Sequence, residues 1–259
     1  MPDSSPLTHA ARIQDQFSRQ AVPFAELPAH SNEEGLALLA RTAVLGPDDD
    51  LLDVACGPGL VACAFAPLVR SVRGLDVVEA MLSQAKRRAS QLGISNAAWD
   101  LGSASELPYA DASFSNVLTR YSFHHLLDPY STLAEMRRVC RPGGSITVCD
   151  VAPARDKLAQ YDALETIRDP SHTHALCPEQ HEELFARAGL SIRARAQYRL
   201  EMAVEDVVSA SFPEPGGAEK VAELFRKDVG VDALGVGVEE RQGRLWFAFP
   251  ILILSARKP

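Results

Sequence analysis

The 259-residue sequence has no Cys-x-x-Cys pair and no stretch approaching the ~18 apolar residues of a membrane-spanning helix. Its first residues, MPDSSPLTHA, carry neither a basic segment nor an apolar run behind them. The expectation is a cytoplasmic chain, neither exported nor inserted in a membrane. Cysteine is sparse: five residues, an odd number, scattered at Cys56, Cys63, Cys140, Cys149 and Cys177. That pattern fits reduced, mostly buried thiols rather than a disulfide framework. Positive charge is in deficit, with 26 Lys and Arg against 34 Asp and Glu, and no basic run exceeds Lys86-Arg87-Arg88. A net charge of −8 repels phosphate backbones, which argues against a nucleic-acid substrate.

What is present is ordinary globular material, 46% hydrophobic and 23% charged, in a length that suits one domain. From Leu51 one theme repeats: a short apolar run, a turn, a helix-like segment. This is the pattern of an α/β protein with a parallel sheet covered on both faces. Strands are expected at Leu51 to Ala55, Ser71 to Leu75, Asn96 to Leu101, Phe114 to Thr119 and Ser145 to Cys149. Helices are expected at Leu60 to Val69, Val78 to Leu92 and Tyr130 to Cys140; Met81, Leu82, Ala85, Ala89 and Leu92 keep helical spacing. Ahead of this core, Ser31 to Ala43 reads as a helix whose Ser31 and Glu34 have capping-box spacing. Behind it come a helix at Pro178 to Ala188, a strand at Leu190 to Leu200 and a long final strand at Arg244 to Ala256. The break Pro213-Glu214-Pro215-Gly216-Gly217 divides an insert with helix-like segments on both sides, a candidate part of a substrate lid.

The strongest motif is Asp53-Val54-Ala55-Cys56-Gly57-Pro58-Gly59, where the first strand ends and the first helix begins, the usual ligand crevice of such sheets. Glycines permit a tight turn and close ligand approach, and the helix start offers free N–H donors. Asp76 ends the second strand, 17 residues beyond Gly59, placed to accept from both hydroxyls of a ribose. Gly57-x-Gly59-x-x-Ala62 also satisfies the loose dinucleotide fingerprint, so NAD is a competing reading. Asp53 favours a cationic cofactor over a pyrophosphate. Cys56 has no adjacent basic partner and reads as structural.

With these residues the chain resembles the class I S-adenosylmethionine (SAM)-dependent methyltransferases, in the small-molecule branch typified by ubiquinone/menaquinone C-methyltransferases. The matching pieces are Leu51 to Gly59, Gly74-Leu75-Asp76, Gly102 to Tyr109, Phe114, Arg120 to Leu126 and Arg141-Pro142-Gly143-Gly144. The resemblance implies a Rossmann-like seven-stranded sheet, mostly parallel with the last strand antiparallel. It implies one methyltransferase domain over 1–259: an N-terminal helical lid to 45, a SAM-binding core over 46–151, and substrate-side helices and strands over 152–259. It implies SAM as cofactor and S-adenosylhomocysteine (SAH) as product. Asp53, Ala55, Gly57 and Gly59 are then expected around the methionine part, Asp76 at the ribose, Met81, Ser103 and Ala104 near the adenine, and Arg120 beside the cofactor. Ser103 and Ser115 stand where relatives usually have Asp; a serine hydroxyl at 103 accepts more weakly than a carboxylate.

Methyl transfer from a sulfonium asks mainly for alignment and exclusion of water, with a base near neutral pKa if the acceptor carries an acidic proton. His124 and His125 follow the fourth strand, where the resemblance places a pair near the transferred methyl. The alternative is a strand cap, with one ring bonded to a carboxylate such as Asp128. Asp150, ending the fifth strand, is a candidate to orient a histidine or to bind substrate. His172 lies in Arg168-Asp169-Pro170-Ser171-His172-Thr173-His174, which resembles a segment near the substrate pocket in a bacterial subset of the family, and is a third acid/base candidate. His172, His174, Cys177 and His181 match no standard zinc spacing, and no metal is expected. Among Phe17, Phe24, Tyr121, Phe123 and Trp246, the first two are expected as lid residues and Tyr121 beside the acceptor. The expected activity is methylation of a small aromatic or heterocyclic metabolite, as in specialised metabolism, at O, N or C. The alternatives are a SAM-containing enzyme of another reaction such as cyclisation, an NAD-dependent oxidoreductase, or a non-enzymatic binding protein.

Overall fold

The computed structural model describes residues 8–26 and 32–259. Two N-terminal helices, α1 (His9–Glu26) and α2 (Glu33–Ala43), precede the sheet. The core then runs β1 (Asp50–Val54), α3 (Leu60–Phe65), β2 (Ser71–Asp76), α4 (Glu79–Gln91), β3 (Ala97–Leu101), β4 (Phe114–Arg120), α5 (Pro129–Val139) and β5 (Cys140–Val151). After it come α6 (Leu158–Arg168), α7 (Pro178–Arg187), β6 (Ser191–Ala203), α8 (Val204–Ser209), α9 (Gly217–Asp228), β7 (Glu239–Arg241) and β8 (Arg244–Arg257).

The strand order is β3-β2-β1-β4-β5-β8-β6, with β8 antiparallel to both neighbours and β1 to β5 parallel. Side-chain alternation sends Leu51, Ile251 and Ile253 to one face, covered by α2, α3, α6 and α9. Leu52, Leu252 and Leu254 go to the other, covered by α5 and α7. Both faces of the central strands are therefore apolar, as a doubly covered parallel sheet requires. Because β1 and β4 are adjacent while the chain winds outward from them in opposite directions, their C-terminal ends flank a crevice, and the site forms there.

Three details differ from the expectations. Among the described residues the sheet has eight strands rather than seven: a turn at Gln242 and Gly243, both at positive φ, folds the short β7 back on β8. Helix α2 is capped by Asn32, whose side chain accepts from Gly35 N at 2.7 Å; Ser31 lies outside the described residues. The Arg141-Pro142-Gly143-Gly144 turn is absorbed into β5, with an irregular register against β4. Among the described residues, no helix is long and apolar enough to cross a membrane.

Candidate active site

The carboxyl ends of β1, β2 and β4 open on a cavity of about 480 Å³, roofed by α1 through His9, Ile13, Gln14, Phe17 and Phe24. Helix α2 is not part of this roof; it packs on the sheet, with Gly35 against the Tyr198 ring. A smaller inner chamber of about 70 Å³ lies between α1, α6 and β6, and the two share Phe17, Phe24, Tyr121 and His125.

Asp53, Ala55, Gly57, Asp76, Met81, Ser103, Ala104 and Arg120 all line the outer cavity. Asp76 accepts from Gly57 N at 2.8 Å with one oxygen and from Val78 N at 2.9 Å with the other. Each oxygen keeps a second lone pair for a ligand donor. Asp53 accepts from Ala62 N at 3.1 Å. Burial pushes its pKa up to about 7, against the pull of that N–H and of Arg120. Burial likewise raises Asp76. Asp53 and Asp76 both line the cavity, with Arg120 in electrostatic reach of Asp53; two acids there suit a cationic ligand with ribose hydroxyls and oppose a pyrophosphate, so the residues fit SAM. Met81 sits among Ala21, Val78, Ile13, Phe17 and Phe24, an apolar bed for a flat ring. Ser103 Oγ accepts from Ser105 N and contacts Ser105 Oγ at 2.9 Å.

Gly59 does not line the cavity. A Cβ there would come within 2.8 Å of Trp99 and 2.9 Å of Ala85, and its φ is +74°. Packing of α3 against α4 and β3 thus accounts for the glycine. Ala55 and Tyr121, which are not glycines, also have positive φ, 55° and 58°, a costly conformation clustered at the site. Tyr121 is held by its hydroxyl, 2.6 Å from that of Tyr198, and by Arg120, which donates to it at 3.2 Å and stacks on its ring.

The four acid/base candidates separate. His124 lies behind the outer cavity, on the inner chamber only, and its Nδ1 is 2.6 Å from Asp150. Asp150 touches neither chamber; it also accepts from the backbone N–H groups of Ser122, Phe123 and Val151. Burial disfavours charge on His124, but the Asp150 carboxylate outweighs it and raises the pKa; Asp150 is lowered in turn by His124 despite its burial. The carboxylate that caps a histidine here is Asp150, while Asp128 caps α5. His125 lines both chambers, and burial together with the adjacent His124 charge holds its pKa well below the ordinary value. His172 lines neither chamber; its Nε2 is 2.8 Å from Asp162, which also holds His174. His181 contacts the Val151 carbonyl and Cys177 caps α7, so of the four residues weighed as metal ligands two share Asp162 and the other two have partners of their own. Among the described residues, no group of three His, Cys, Asp or Glu side chains converges on a metal position. All five cysteines are free and buried.

Sequence reasoning missed the roof residues His9, Ile13 and Gln14, and the inner-chamber residues Gln20, Tyr161, Glu165, Arg168 and Asp169. Buried Gln16 and Gln20 on α1 were the available signal, since two glutamines one turn apart on a helix's inner face need partners.

Residues 52–148 match the family described as Methyltransferase domain. The chain is 28% identical over 186 residues to the uncharacterized methyltransferase YcgJ of Bacillus subtilis, covering 71% of this chain and 74% of that one. Residues 52–148 thus carry a SAM-dependent methyltransferase domain. The YcgJ crystal structure superimposes with a TM-score of 0.80 at 22% identity, over 88% of this chain and 99% of that one. The Bacillus halodurans protein BH2331 gives 0.79 at 26% identity, over 87% and 99%. The [4+2]-cyclase SpnF shares the methyltransferase fold at a TM-score of 0.66 and 21% identity, over 87% and 81%. The chain spans 35%, 61% and 52% of the length of three further curated relatives.

Proposed function

We propose that this methyltransferase transfers the SAM methyl group to a small aromatic or heterocyclic metabolite at O, N or C, with His125 removing a proton where the acceptor has one to lose. The observation that carries the reading is the shared wall: Phe17, Phe24, Tyr121 and His125 line both the carboxylate-bearing outer cavity and the inner chamber. SAM in the outer cavity would present its methyl toward that wall, and an acceptor stacked on the aromatic rings would be shielded from water by α1. Asp53, Gly57 and Asp76 would hold the methionine and ribose, Met81, Ser103 and Ala104 the adenine side, and Arg120 and Tyr121 the rim. His124 and Asp150 would support the turn that carries His125, and His172 would brace the loop behind it. The cavity roofed by α1 and the net charge of −8 favour a small metabolite over nucleic acid, and five free thiols favour the reducing cytoplasm.

Calorimetric titration with SAM, SAH and NAD, followed by an acceptor screen that reads SAH release, tests the reading. Binding of SAM and SAH but not NAD, with SAH formed on addition of an acceptor, is the expected result. A second reading is a reaction such as cyclisation with SAM as a fixed cation, favoured by the likeness to SpnF. Tight SAM binding with product formed but no SAH released would select it. NAD binding without SAM binding would overturn both.

A further inference from the structure

Two adjacent histidines stand at this site, and neither the motif nor the cavity says which ring nitrogen of His125 is bare. The hydrogen bonds around Ser171 do. His125 Nδ1 lies 3.2 Å from the Ser171 carbonyl oxygen and 3.2 Å from Ser171 Oγ. A carbonyl oxygen only accepts, so Nδ1 must carry the proton. Ser171 Oγ has one proton and donates it to Asp169 Oδ1 at 2.5 Å, so toward His125 it too can only accept. Asp169 is locked in turn: Oδ1 takes the Ser171 N–H at 2.9 Å and Oδ2 takes the Gln20 side-chain amide from α1 at 3.1 Å. Ser171 and Asp169 are both buried, which makes this orientation expensive to reverse.

Helix α1 clamps the same ring from the roof. His9 Nε2 donates to the His125 carbonyl oxygen at 2.8 Å, and the Phe17 ring meets the imidazole edge-on with centroids 4.9 Å apart. The His124 and His172 rings close the remaining sides. With Nδ1 committed to Ser171, Nε2 is the ring nitrogen left for the chambers that His125 lines.

We propose that Asp169 and Ser171 are positioning residues that fix His125 as the Nδ1–H tautomer and so present its bare Nε2 to the acceptor as the proton-accepting atom. The proposal rests on the methyl-transfer reading for the identity of the acceptor, but not for the tautomer. In the step it serves, the acceptor's O–H, N–H or C–H proton passes to Nε2, and the electron pair left on the acceptor forms the new bond to the methyl carbon as the carbon–sulfur bond breaks. The imidazolium so formed is short-lived: burial and the charged His124 disfavour it, the Asp169 carboxylate acting through Ser171 offsets part of that cost, and it returns its proton to solvent after product leaves.

Selective ¹⁵N-histidine labelling of the full chain, read by long-range ¹H–¹⁵N correlation at pH 7 without ligand, reports the tautomer directly. His125 is expected as Nδ1–H with an unprotonated Nε2. In Ser171→Ala, the ratio of that tautomer to the other is expected to fall about tenfold, the loss of one hydrogen bond, with the His124 signals unmoved. A wild-type His125 found as the Nε2–H tautomer or as an imidazolium overturns the proposal, whether or not the variant folds. With an acceptor that releases SAH, Ser171→Ala and Asp169→Asn are each expected to lower kcat about tenfold or more while the KM for SAM stays unchanged; unchanged kcat in both overturns the positioning role. Failure to bind SAM in calorimetry, with the tautomer as stated, sinks the methyl-transfer reading alone.

Discussion

Asp76 gives the sharpest test of where the cofactor sits, because its two oxygens are already committed to backbone donors. In Asp76→Asn, one oxygen becomes an NH₂ group that must face either Gly57 N, 2.8 Å away, or Val78 N, 2.9 Å away. The N–H that meets the NH₂ group loses its acceptor while the other keeps the remaining oxygen, and a buried donor left unpaired costs about 1–3 kcal/mol. At roughly 2–4 °C per kcal/mol for a chain of this size, Tm is expected to fall by about 2–12 °C. The same replacement removes one ionised acceptor for the ribose, a charge-assisted bond of about 1.5–3 kcal/mol. The Kd for SAM measured by calorimetry should therefore rise about 10- to 100-fold. Because the two losses have separate readouts, the reasoning can fail in one place: a lowered Tm with a SAM Kd within about threefold of wild type would mean that the ribose lies elsewhere.

Asp53, raised to about 7 by burial, binds its proton more readily when folded than unfolded, so it contributes stability below its ordinary pKa that is lost as pH rises to about 7. Asp53→Asn should remove that slope, a difference of up to about 4 kcal/mol at 1.36 kcal/mol per unit in urea unfolding compared at pH 4 and pH 8; parallel profiles would refute it. Ser103→Asp supplies an ionised acceptor at the cavity wall and should tighten SAM binding by about three- to tenfold in titration; weaker binding would remove Ser103 from the adenine side. Arg168, buried and bonded to Glu165 and Ser211, is expected to cost about 3–5 kcal/mol when replaced alone as Arg168→Met. The double replacement with Glu165→Gln should recover most of that loss, and additive losses in a double-mutant cycle would contradict the pairing.

The parallel core was legible because its signals are local. Apolar strand runs, the glycine turn after β1 and the acid ending β2 each lie within a few residues, and β1 to β5 stand within about two residues of their expected places at nearly every end. What was not legible depends on distant partners. Helix α6 carries Tyr161, Leu164 and Glu165 inward together, a mixture that blurs the apolar period on which helix reading depends. The length of α1, His9–Glu26, was obscured by Pro23 near its end and by inward glutamines whose partners are Asp169 and Phe212. Gly59 looked like a ligand contact because a glycine in a turn has two causes, close ligand approach and close packing, and only Trp99 and Ala85 decide between them. The positive φ of Ala55 and Tyr121 leaves no trace in residue type.

The adjacent histidines show the same limit from the other side. Both lie on the single 3₁₀ turn Phe123–His125 that follows β4, where successive side chains diverge by about 120°. One ring must therefore turn toward β5 and the other toward the loop after α6. Asp150 stabilises positive charge on His124, and with ring centroids 4.2 Å apart a second imidazolium beside it is strongly disfavoured. The pair thus divides into one charged, capped ring and one neutral ring on the cavity. If that coupling is real, His124→Asn should raise the pKa of His125, since the repelling charge goes and Asp150 is left unneutralised nearby. The same ¹⁵N-labelled spectra followed from pH 4 to pH 8 would measure it, and a His125 titration unmoved by the substitution would show that burial alone holds this ring neutral.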